Sequence, residues 1–426
     1  MSCKNFTKME FKLDKYITRI EGSLPNSDQN ILINDINGKN VIITGVNGCG
    51  KTKLLNKLWH SLQSEVDLPN SKMFFELKLK ISTLEETLVK ENNPFIIDDC
   101  NRQLSATKSR LQSIQEQKGS ILKYDNLEFL FQKAVDNLLV VNFFGATRQY
   151  QSHHNLQTTL QGLLKKGKNS SLIETFSTQF ESYLVTFLES HYIAFGMRGD
   201  EKSKQIADSW FSNFQNNLRY LFEDPSLNFF YSEGEKKFYI KQKGKEPYDL
   251  SKLSSGFSAI LSIYAELVIK SEYKKLTPDE LSGIVFIDEI DAHLHVSLQK
   301  KILPFLSRAY PNIQFSVSTH SPFVLQSVDN AIVYDLTNNE QMEDLSLYSY
   351  EAILKGLLGV ETNSNELIRL VDSLAELIPE LESGNKSYLV EAQELTSKLR
   401  NIESKLDSKS KVVLLMAEQA IDDLEG

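Results

Sequence analysis

The stretch that most constrains the fold is Val41–Leu55, which reads VIITGVNGCGKTKLL. A short β-branched run leads into a glycine-rich loop, and the residues from Lys53 onward have the apolar spacing of a helix. The loop, Gly45–Thr52, matches the P-loop pattern G-x-x-x-x-G-K-[ST] without a mismatch. The sequence therefore predicts a strand, a phosphate-binding loop and a helix, in that order.

The residue types in this loop suit a nucleotide. Glycines let successive backbone N–H groups turn toward one point, and that point lies at a positively polarised helix N-terminus. Lys51 adds a full positive charge at the β- and γ-phosphates, and the hydroxyl of Thr52 is placed to ligate Mg²⁺. A chance match in a glycine-rich turn is disfavoured, because a buried-type strand and an apolar helix flank the loop. We expect a nucleotide site.

Composition places the chain among ordinary globular proteins. It has 426 residues, of which 41% are hydrophobic and 24% charged, so we expect two or three structural units. No window approaches 18 consecutive apolar residues and the N-terminus has no signal-like core, which predicts a cytoplasmic protein without a membrane partner. Cys3, Cys49 and Cys100 are too widely spaced for a disulfide framework or a zinc ligand set.

The net charge of −9 is unevenly distributed along the chain. Residues 341–426 contain 17 Asp or Glu and 8 Lys or Arg, and residues 1–340 are balanced. Bulk charge therefore does not indicate nucleic-acid binding, although a local basic patch is compatible with it.

Three segments are predicted to be mainly helical. Residues 67–135 have Leu and Ile at helical spacing, with an interruption at Pro94, which favours an inserted helical hairpin or a short coiled coil. An ordinary helical subdomain is the alternative for this segment. Residues 155–222 form a predicted helical lobe, and residues 341–426 a helical C-terminal region.

Polar residues follow two further predicted strands. Asp288 and Glu289 follow an apolar run, where one carboxylate can hold the Mg²⁺ shell and the next can orient a water for attack. His320, in the run STHSP, also ends a strand, where a neutral imidazole can contact a γ-phosphate. A capping or core histidine is the alternative reading of His320.

A third motif precedes a long apolar helix. Ser254, Ser255 and Gly256 offer hydroxyl and backbone donors to an anion at the start of this helix. A simple N-cap is the alternative reading.

The order of these motifs resembles the heads of ABC-type ATPases. The P-loop, an Arg-Gln turn after an apolar strand, LSSG before a helix, IDE and STH follow one another along the chain. The resemblance points to the RecF/SMC-like branch of AAA-family ATPases that includes the OLD, Septu and PARIS-type bacterial defence proteins. It implies an α/β fold, an ABC-ATPase head with a mixed β-sheet flanked by helices. The head would comprise residues 1–66 and 136–340.

The resemblance also implies roles for individual residues. Catalytic roles fall to Glu289 as the base, to His320 as the γ-phosphate switch and to Lys51. Thr52 and Asp288 would hold Mg²⁺. The implied ATP-binding residues are Gly45, Val46, Asn47, Gly48, Cys49, Gly50, Lys51, Thr52 and Lys53, together with Arg148 or Gln149 as the Q-loop residue.

In such heads the site is shared between two protomers. Ser254, Ser255 and Gly256 would be the signature residues, which cap the γ-phosphate of ATP held by a second protomer. A D-loop containing Asp291, His293 and His295 would cross that interface. Phe257 stands where such heads usually carry Gln or Glu. The resemblance thus implies a head-to-head dimer or a higher oligomer of this chain.

The expected function is an ATP-hydrolysing switch in anti-phage defence. Residues 341–426 contain no Asp-x-Asp cluster and are too few for the nuclease domain of OLD-type proteins, so we expect a separate effector protein, such as a nuclease. One alternative is a RecF-like DNA-repair ATPase that binds DNA directly, which the charge balance disfavours. Another is a scaffold for which ATP binding matters and turnover is incidental.

Overall fold

The computed structural model describes residues 16–24, 27–116, 120–151, 159–168, 171–343, 345–357 and 363–425. The sequence predicts a first strand over residues 11–20 and a helical lobe over residues 155–222. Residues 11–15 and 155–158 of these predictions lie outside the described residues. Within the described ranges, no helix combines the length and the apolar character needed to cross a membrane.

The described residues contain twelve strands and fourteen α-helices, numbered here in chain order. The strands are β1 Ile17–Ser23, β2 Asn30–Ile33, β3 Asn40–Thr44, β4 Leu122–Tyr124, β5 Leu139–Phe144, β6 Asn228–Ser232, β7 Lys237–Lys241, β8 Tyr248–Asp249, β9 Ser282–Ile287, β10 Ile313–Ser318, β11 Ala331–Asp335 and β12 Glu340–Glu343. The helices are α1 Lys51–Glu65, α2 Leu68–Lys90, α3 Pro94–Gln115, α4 Leu127–Val135, α5 Leu160–Lys168, α6 Phe180–Arg198, α7 Glu201–Phe222, α8 Ser255–Lys274, α9 Val296–Ala309, α10 Pro322–Leu325, α11 Tyr350–Gly356, α12 Asn365–Glu382, α13 Leu389–Arg400 and α14 Ser408–Glu425.

A six-stranded sheet positions the candidate site. Its order is β12-β11-β3-β10-β9-β5, and every neighbouring pair is parallel except β11 with the edge strand β12. Strands β3, β9, β10 and β11 are buried along their whole length, as expected for a sheet covered on both faces. The carboxyl ends of β3, β9 and β10 therefore meet at one edge, where ligands bind in folds of this kind.

Two smaller antiparallel sheets accompany the central one. The first has the order β2-β1-β4, and the second has the order β6-β7-β8. Residues 227–230 and 237–242 alternate around a turn at residues 232–235, which predicts the observed hairpin of β6 and β7. Leu122 lies in β4 and pairs with Ile20 of β1. The spacing of apolar residues in the insertion predicts that Leu122 is helical, and this prediction is wrong. Pairing with a strand about a hundred residues away overrides the local spacing.

The inserted helical hairpin consists of α2 and α3. Each helix begins with a side-chain cap followed by proline: Asp67 accepts from the N–H of Asn70, and Asn93 accepts from the N–H of Phe95. Glu85 and Lys108 join the two helices through an ion pair of 2.7 Å. The predicted fold class is confirmed: a mixed sheet flanked by helices, with this hairpin inserted and helices at the C-terminal end.

The chain divides into two compact units, residues 1–350 and 351–426. The second unit has its own apolar core, built mainly from α12, α13 and α14, in which Leu374 and Leu399 are fully buried. Strand β12 belongs to the central sheet, and the described chain after it is mainly helical. The predicted domain limits at residues 66, 135 and 340 stay predictions.

Candidate functional site

The phosphate loop connects β3 to α1 and needs glycine at two positions. Gly45 has φ +135°, and a Cβ atom there would lie 2.7 Å from Oγ1 of Thr337. Gly50 has φ +107°, and a Cβ atom there would lie 2.9 Å from Cδ2 of Leu24. Both positions combine left-handed backbone with close packing, so a larger residue would push the loop away from its supports. Val46, which follows Gly45, donates its N–H to Oγ1 of Thr337 at 2.9 Å.

Lys51 begins α1 and folds back over the loop. Its Nζ donates to the carbonyl oxygens of Gly45 and Val46 at 3.0 and 3.1 Å, and the side chain is only 6% exposed. Two neutral carbonyls compensate a buried ammonium less well than an anion does, so a phosphate in the loop is a better partner for this charge.

Asp288 lies at the end of β9, directly beside the phosphate loop. Its Oδ2 accepts from Oγ1 of Thr52 at 2.8 Å, and its Oδ1 accepts from Oγ of Ser318 at 2.6 Å. The carboxylate is 3% exposed, so both contacts are needed to compensate a charge removed from water. The structure thus brings together Thr52 and Asp288, which are 236 residues apart in sequence.

The oxygen ligands of this pair suit Mg²⁺ when phosphates complete the coordination. Mg²⁺ in nucleotide sites is held by one or two protein oxygens plus phosphate oxygens and water. Among the described residues, no group of three or more His, Cys, Asp and Glu side chains is arranged to hold a metal ion. The hydroxyl of Thr52 and the carboxylate of Asp288 supply two oxygen ligands, the number that suits a metal arriving with a nucleotide.

Glu289 has an unusual backbone conformation. Its φ is +46°, in the left-handed region that residues with a Cβ atom rarely adopt. The N–H of Glu289 donates to Oγ of Ser318 at 2.8 Å, so one hydroxyl serves both Asp288 and Glu289. The side chain is half-buried at the same edge of the sheet. Ser318 thus links the backbone of Glu289 to the carboxylate of Asp288.

His320 follows β10 and is half-buried. Burial lowers the pKa of the imidazole below its ordinary value, and the nearby positive charge of Lys51 lowers this pKa further. Asp291, Glu289 and Asp288 act in the opposite direction without reversing the shift. The imidazole is therefore neutral at pH 7 and has both a donor and an acceptor nitrogen.

The Arg-Gln turn after β5 separates its two side chains. Arg148 is 8% exposed and its guanidinium binds backbone carbonyls, including those of Asp288 and Glu289 at 2.8 and 3.0 Å. Gln149 is exposed. Sequence reasoning left both residues as Q-loop candidates, and their different surroundings favour Gln149 as the one available to a ligand.

Residues 254–256 start α8 and lie against the D-loop. Ser254 and Ser255 are exposed, and Ser254 makes no side-chain cap hydrogen bond although it occupies the N-cap position. A Cβ atom on Gly256 would lie 2.7 Å from the carbonyl oxygen of His293, so glycine permits this close approach. Phe257 stacks on Phe222 with a ring-centroid distance of 3.8 Å, and this packing accounts for an aromatic residue after the glycine.

The three predicted D-loop residues differ in their surroundings. His293 and His295 are exposed, whereas Asp291 accepts a hydrogen bond of 2.5 Å from Oγ1 of Thr319 in the same chain. His295 caps α9 by accepting from the N–H of Ser297. The roles of all three residues across an interface stay predictions.

The turn after β11 was missed by the sequence reasoning. Asp335, which is fully buried, accepts from the N–H of Thr337 at 2.8 Å, and Thr337 in turn supports Val46 of the phosphate loop. No motif marks these residues. Only the pairing of β11 with β3 brings their turn beside the loop, so no signal in the sequence identifies them.

Comparison with known families identifies the class of this site. A family described as "AAA domain, putative AbiEii toxin, Type IV TA system" matches residues 58–326, more than half of the chain. The chain belongs to this AAA-domain family. The matched range begins just after the phosphate loop and includes Asp288, Glu289 and His320. The predicted class, an AAA-type ATPase, is confirmed at the level of the family.

Individual relatives of this AAA domain match shorter segments. The Retron Ec83 probable ATPase of Escherichia coli is 29% identical over 172 residues, covering 34% of this chain and 31% of the relative. The Septu protein PtuA of Bacillus mycoides strain KBAB4 is 29% identical over 181 residues, covering 40% of this chain and 24% of the relative. The matches thus span about a quarter to a third of the length of these two relatives. The predicted resemblance to Septu-type ATPases is confirmed.

Solved structures are similar to the AAA chain at lower sequence identity. The Smc head bound to the C-terminal winged-helix domain of ScpA covers 76% of this chain and 96% of its own, with a TM-score of 0.34 and 14% identity. An SMC ATPase structure from work on ATP-driven dimerization covers 38% and 99%, with a TM-score of 0.26 and 18% identity.

Proposed function

We propose that this AAA protein is an ATP-hydrolysing switch of bacterial anti-phage defence that controls a separate effector protein. The observation that carries the ATPase part is the hydrogen-bonded set of Thr52, Asp288, Ser318 and Glu289 beside the phosphate loop. Similarity to a Septu protein and to a retron probable ATPase supports the defence context. The RecF-like alternative gains no support, since residues 1–340 carry no net charge.

Binding of ATP is proposed to use the backbone N–H groups of the phosphate loop and the ammonium group of Lys51. The backbone N–H groups of Gly48–Thr52 receive the phosphates, and Nζ of Lys51 exchanges its two carbonyl contacts for phosphate oxygens. Thr52 and Asp288 would hold the Mg²⁺ that accompanies the nucleotide, and the ion would supply positive charge against the phosphates. The short Thr52–Asp288 contact of 2.8 Å holds these two ligands close together before the nucleotide arrives.

Hydrolysis requires a positioned water and a contact to the γ-phosphate. Glu289 accepts a hydrogen bond from the attacking water and orients it in line with the bond to be broken. His320, neutral at pH 7, donates to a γ-phosphate oxygen and so responds to its presence. Both residues follow neighbouring parallel strands, β9 and β10, so the same edge of the sheet presents them together.

The site is proposed to be completed by a second protomer. Ser254 and Ser255 are exposed at the start of α8, and no hydrogen bond joins residues 254–256 to residues 45–52 within the described part of the chain. Because both hydroxyls are exposed, they can donate hydrogen bonds to a ligand brought by another chain. A γ-phosphate bound by the partner protomer is such a ligand.

Mixing two inactive variants tests the composite site. Lys51→Ala removes the phosphate contact, and Ser255→Glu places a negative charge where the partner's γ-phosphate should bind. Each variant alone should be inactive. A mixed dimer has one intact site, so an equimolar mixture should recover about a quarter of the wild-type ATPase rate if protomers exchange freely. Mixing each variant with itself under the same conditions is the control. Full activity of Ser255→Glu alone, or no recovery on mixing although mixed dimers form, would contradict a site shared between protomers.

The hairpin of α2 and α3 is proposed to bind the effector. Its tip carries Val89 and Phe95, which are 85% and 87% exposed, so it presents apolar surface to solvent. We expect Phe95→Ser to weaken binding to the protein encoded by the adjacent gene by about 10-fold or more, as for an exposed aromatic anchor. Binding is measured by calorimetry in the presence of ATP.

A matched control separates this effect from a general loss of apolar surface. Met197→Ser, at an 81% exposed position on α6, should leave effector binding and ATPase activity unchanged. Failure of the wild-type protein to bind its neighbour would refute the effector proposal. Equal effects of the Phe95 and Met197 substitutions would refute the role of the hairpin tip.

A further inference from the structure

Arg148 makes an unusual set of contacts for a residue in a turn. Its guanidinium donates to four backbone carbonyl oxygens: Gly145 at 3.0 Å, Asp288 at 2.8 Å, Glu289 at 3.0 Å and Ile290 at 3.0 Å. Three of these acceptors are consecutive residues. Their oxygens can converge on one cation only if the backbone turns sharply after β9, and this turn contains the left-handed Glu289.

The turn needs such a support. A residue with a Cβ atom is strained in the left-handed region relative to its favoured conformations. Hydrogen bonds to a charged group are stronger than neutral ones, so four of them can compensate that strain. Ser318 fixes the opposite side of the turn through the N–H of Glu289, and Arg148 fixes the carbonyl side.

The guanidinium stays charged in this position. Burial lowers the pKa of Arg148 to about 10, while the negative charges of Asp291, Asp288 and Glu289 act to raise it. The group is therefore protonated throughout the neutral range. Its Nη1 and Nη2 donors are directed at backbone oxygens, and the residue is only 8% exposed, which leaves it little surface for a nucleotide.

The same turn is connected to the signature helix. The N–H of Tyr150 donates to Oγ of Ser258, which lies in the first turn of α8, at 2.8 Å. The segment 145–150 therefore joins the backbone of residues 288–290 to the helix that carries Ser254 and Ser255 at its start. A displacement of that helix would be transmitted through residues 145–150 to the backbone of Glu289.

We infer that Arg148 is a positioning residue that holds the backbone of residues 288–290 and thereby aims the carboxylate of Glu289, without itself contacting ATP. This inference rests on the proposed role of Glu289 in hydrolysis. It assigns the exposed Gln149 to the nucleotide side of the turn and Arg148 to the protein side.

The first test separates binding from turnover. We expect Arg148→Met to lower kcat by about 10- to 100-fold, as loss of a support for a catalytic group does, and to leave the Kd for a fluorescent ATP analogue within about threefold of the wild type. Arg148→Lys keeps the charge but cannot reach four carbonyls, so its kcat should lie between those of the wild type and Arg148→Met. Arg102→Met, at an exposed arginine of α3, is the control with unchanged activity.

The second test asks whether the guanidinium itself matters. Arg148→Ala should regain a substantial part of its lost kcat when ethylguanidinium is added at millimolar concentration, whereas ethylammonium should have no effect. A purely structural side chain would not show this selectivity. Thermal melting of each variant, with and without ethylguanidinium, tests whether the recovery instead reflects refolding.

The third test asks whether Arg148 acts through Glu289. In a Glu289→Gln background, adding Arg148→Met should lower the residual single-turnover rate by less than about twofold, because coupled residues are not additive. A rise in Kd with kcat unchanged, absence of ethylguanidinium recovery or full additivity with Glu289→Gln would each overturn the inference. Full ATPase activity of Glu289→Gln alone would refute the proposed function instead.

Discussion

Thr337 lies in the turn after β11 and supports the phosphate loop, which follows β3. Its hydroxyl accepts the N–H of Val46 at 2.9 Å, and the absence of a Cβ atom on Gly45 makes room for it. The buried carboxylate of Asp335 holds Thr337 in turn through a backbone hydrogen bond of 2.8 Å. The conformation of the loop thus depends on a residue 291 positions away from the glycine-rich motif.

Substitution of Thr337 should weaken nucleotide binding without unfolding the protein. Thr337→Val preserves shape but removes the acceptor for Val46, a loss of about 1 kcal/mol for one partly exposed hydrogen bond. We therefore expect the Kd for ATP to rise about three- to tenfold. Thr337→Ser keeps the hydroxyl and should bind ATP like the wild type. Equal affinity of the Val and Ser variants in a fluorescent-nucleotide titration would show that the hydroxyl does not support the loop.

His320 should tolerate a neutral replacement that can still donate a hydrogen bond. Burial and the charge of Lys51 lower its pKa, so it acts as a neutral group at pH 7. His320→Gln should retain a measurable part of the ATPase rate, whereas His320→Ala should lose about 10- to 100-fold in kcat, the usual value of one positioned polar group. Steady-state kinetics at pH 7 checks both. A Gln variant as slow as the Ala variant would argue against a hydrogen bond to the γ-phosphate.

At the scale of elements, α8 carries buried charges as well as the signature residues at its start. Glu266 is fully buried and accepts from the N–H groups of Phe176 and Ser177 at 2.6 Å, while Nζ of Lys270 lies 3.6 Å from the same carboxylate. Burial lowers the pKa of Lys270 to about 8, although Glu266 acts to raise it. This polar network fixes α8 against the segment before α6 and so fixes the direction in which Ser255 is presented.

Lys274, one turn further along α8, should make stability depend on pH. Burial, followed by repulsion from Lys270, lowers its pKa to about 7 from an ordinary value of 10.5. Between these values the unfolded state binds a proton that the folded state does not, so stability rises with pH in this window. Relative to Lys274→Met, the wild type should gain unfolding free energy from pH 7 to about pH 10.

Urea denaturation at pH 6.5, 8 and 9.5 measures this difference. Lys202→Met, at an exposed lysine of α7, is the control and should follow the wild type at every pH. A constant difference between the wild type and Lys274→Met across the three pH values would contradict the lowered pKa.

The elements also show which parts of the fold the sequence reveals. The phosphate loop and the pair Asp288–Glu289 were predictable because a strand, a turn and a chemical motif lie within about fifteen residues of one another. Strands β4 and β12 were not, since β4 pairs with β1 about a hundred residues away and β12 is a short edge strand without an apolar run. The proposed role of Arg148 was equally hidden, because three of its four acceptors lie 140 or more residues along the chain.

At the scale of the whole molecule, the candidate site lies within the first compact unit. Every residue assigned to it, from Gly45 to Thr337, precedes residue 350. The second unit has a separate apolar core. A chain that ends at residue 350 should therefore bind ATP with a Kd within about threefold of the full chain. A larger loss of ATP affinity in a nucleotide titration would show that residues 351–426 contribute to the site, provided that the shortened chain still unfolds in one cooperative thermal transition.

Pairing of two heads is the property that distinguishes a switch from a simple ATP-binding domain. With Glu289→Gln the nucleotide should bind and persist, so the paired form should accumulate in the presence of ATP and Mg²⁺. With Lys51→Ala the nucleotide should bind poorly, and the same conditions should leave the protein in its nucleotide-free state. Light scattering coupled to size-exclusion chromatography measures the mass of each form.

The signature residues supply the decisive control for this experiment. Adding Ser255→Glu to Glu289→Gln leaves the phosphate loop of each protomer intact but repels the partner's γ-phosphate. We expect this double variant to bind ATP with little change in Kd and to lose the ATP-dependent increase in mass. Because Ser255 is exposed and begins α8, the substitution disturbs no buried contact. If the double variant pairs as readily as Glu289→Gln, the second protomer does not close the site through these residues, and ATP controls the protein from within one chain.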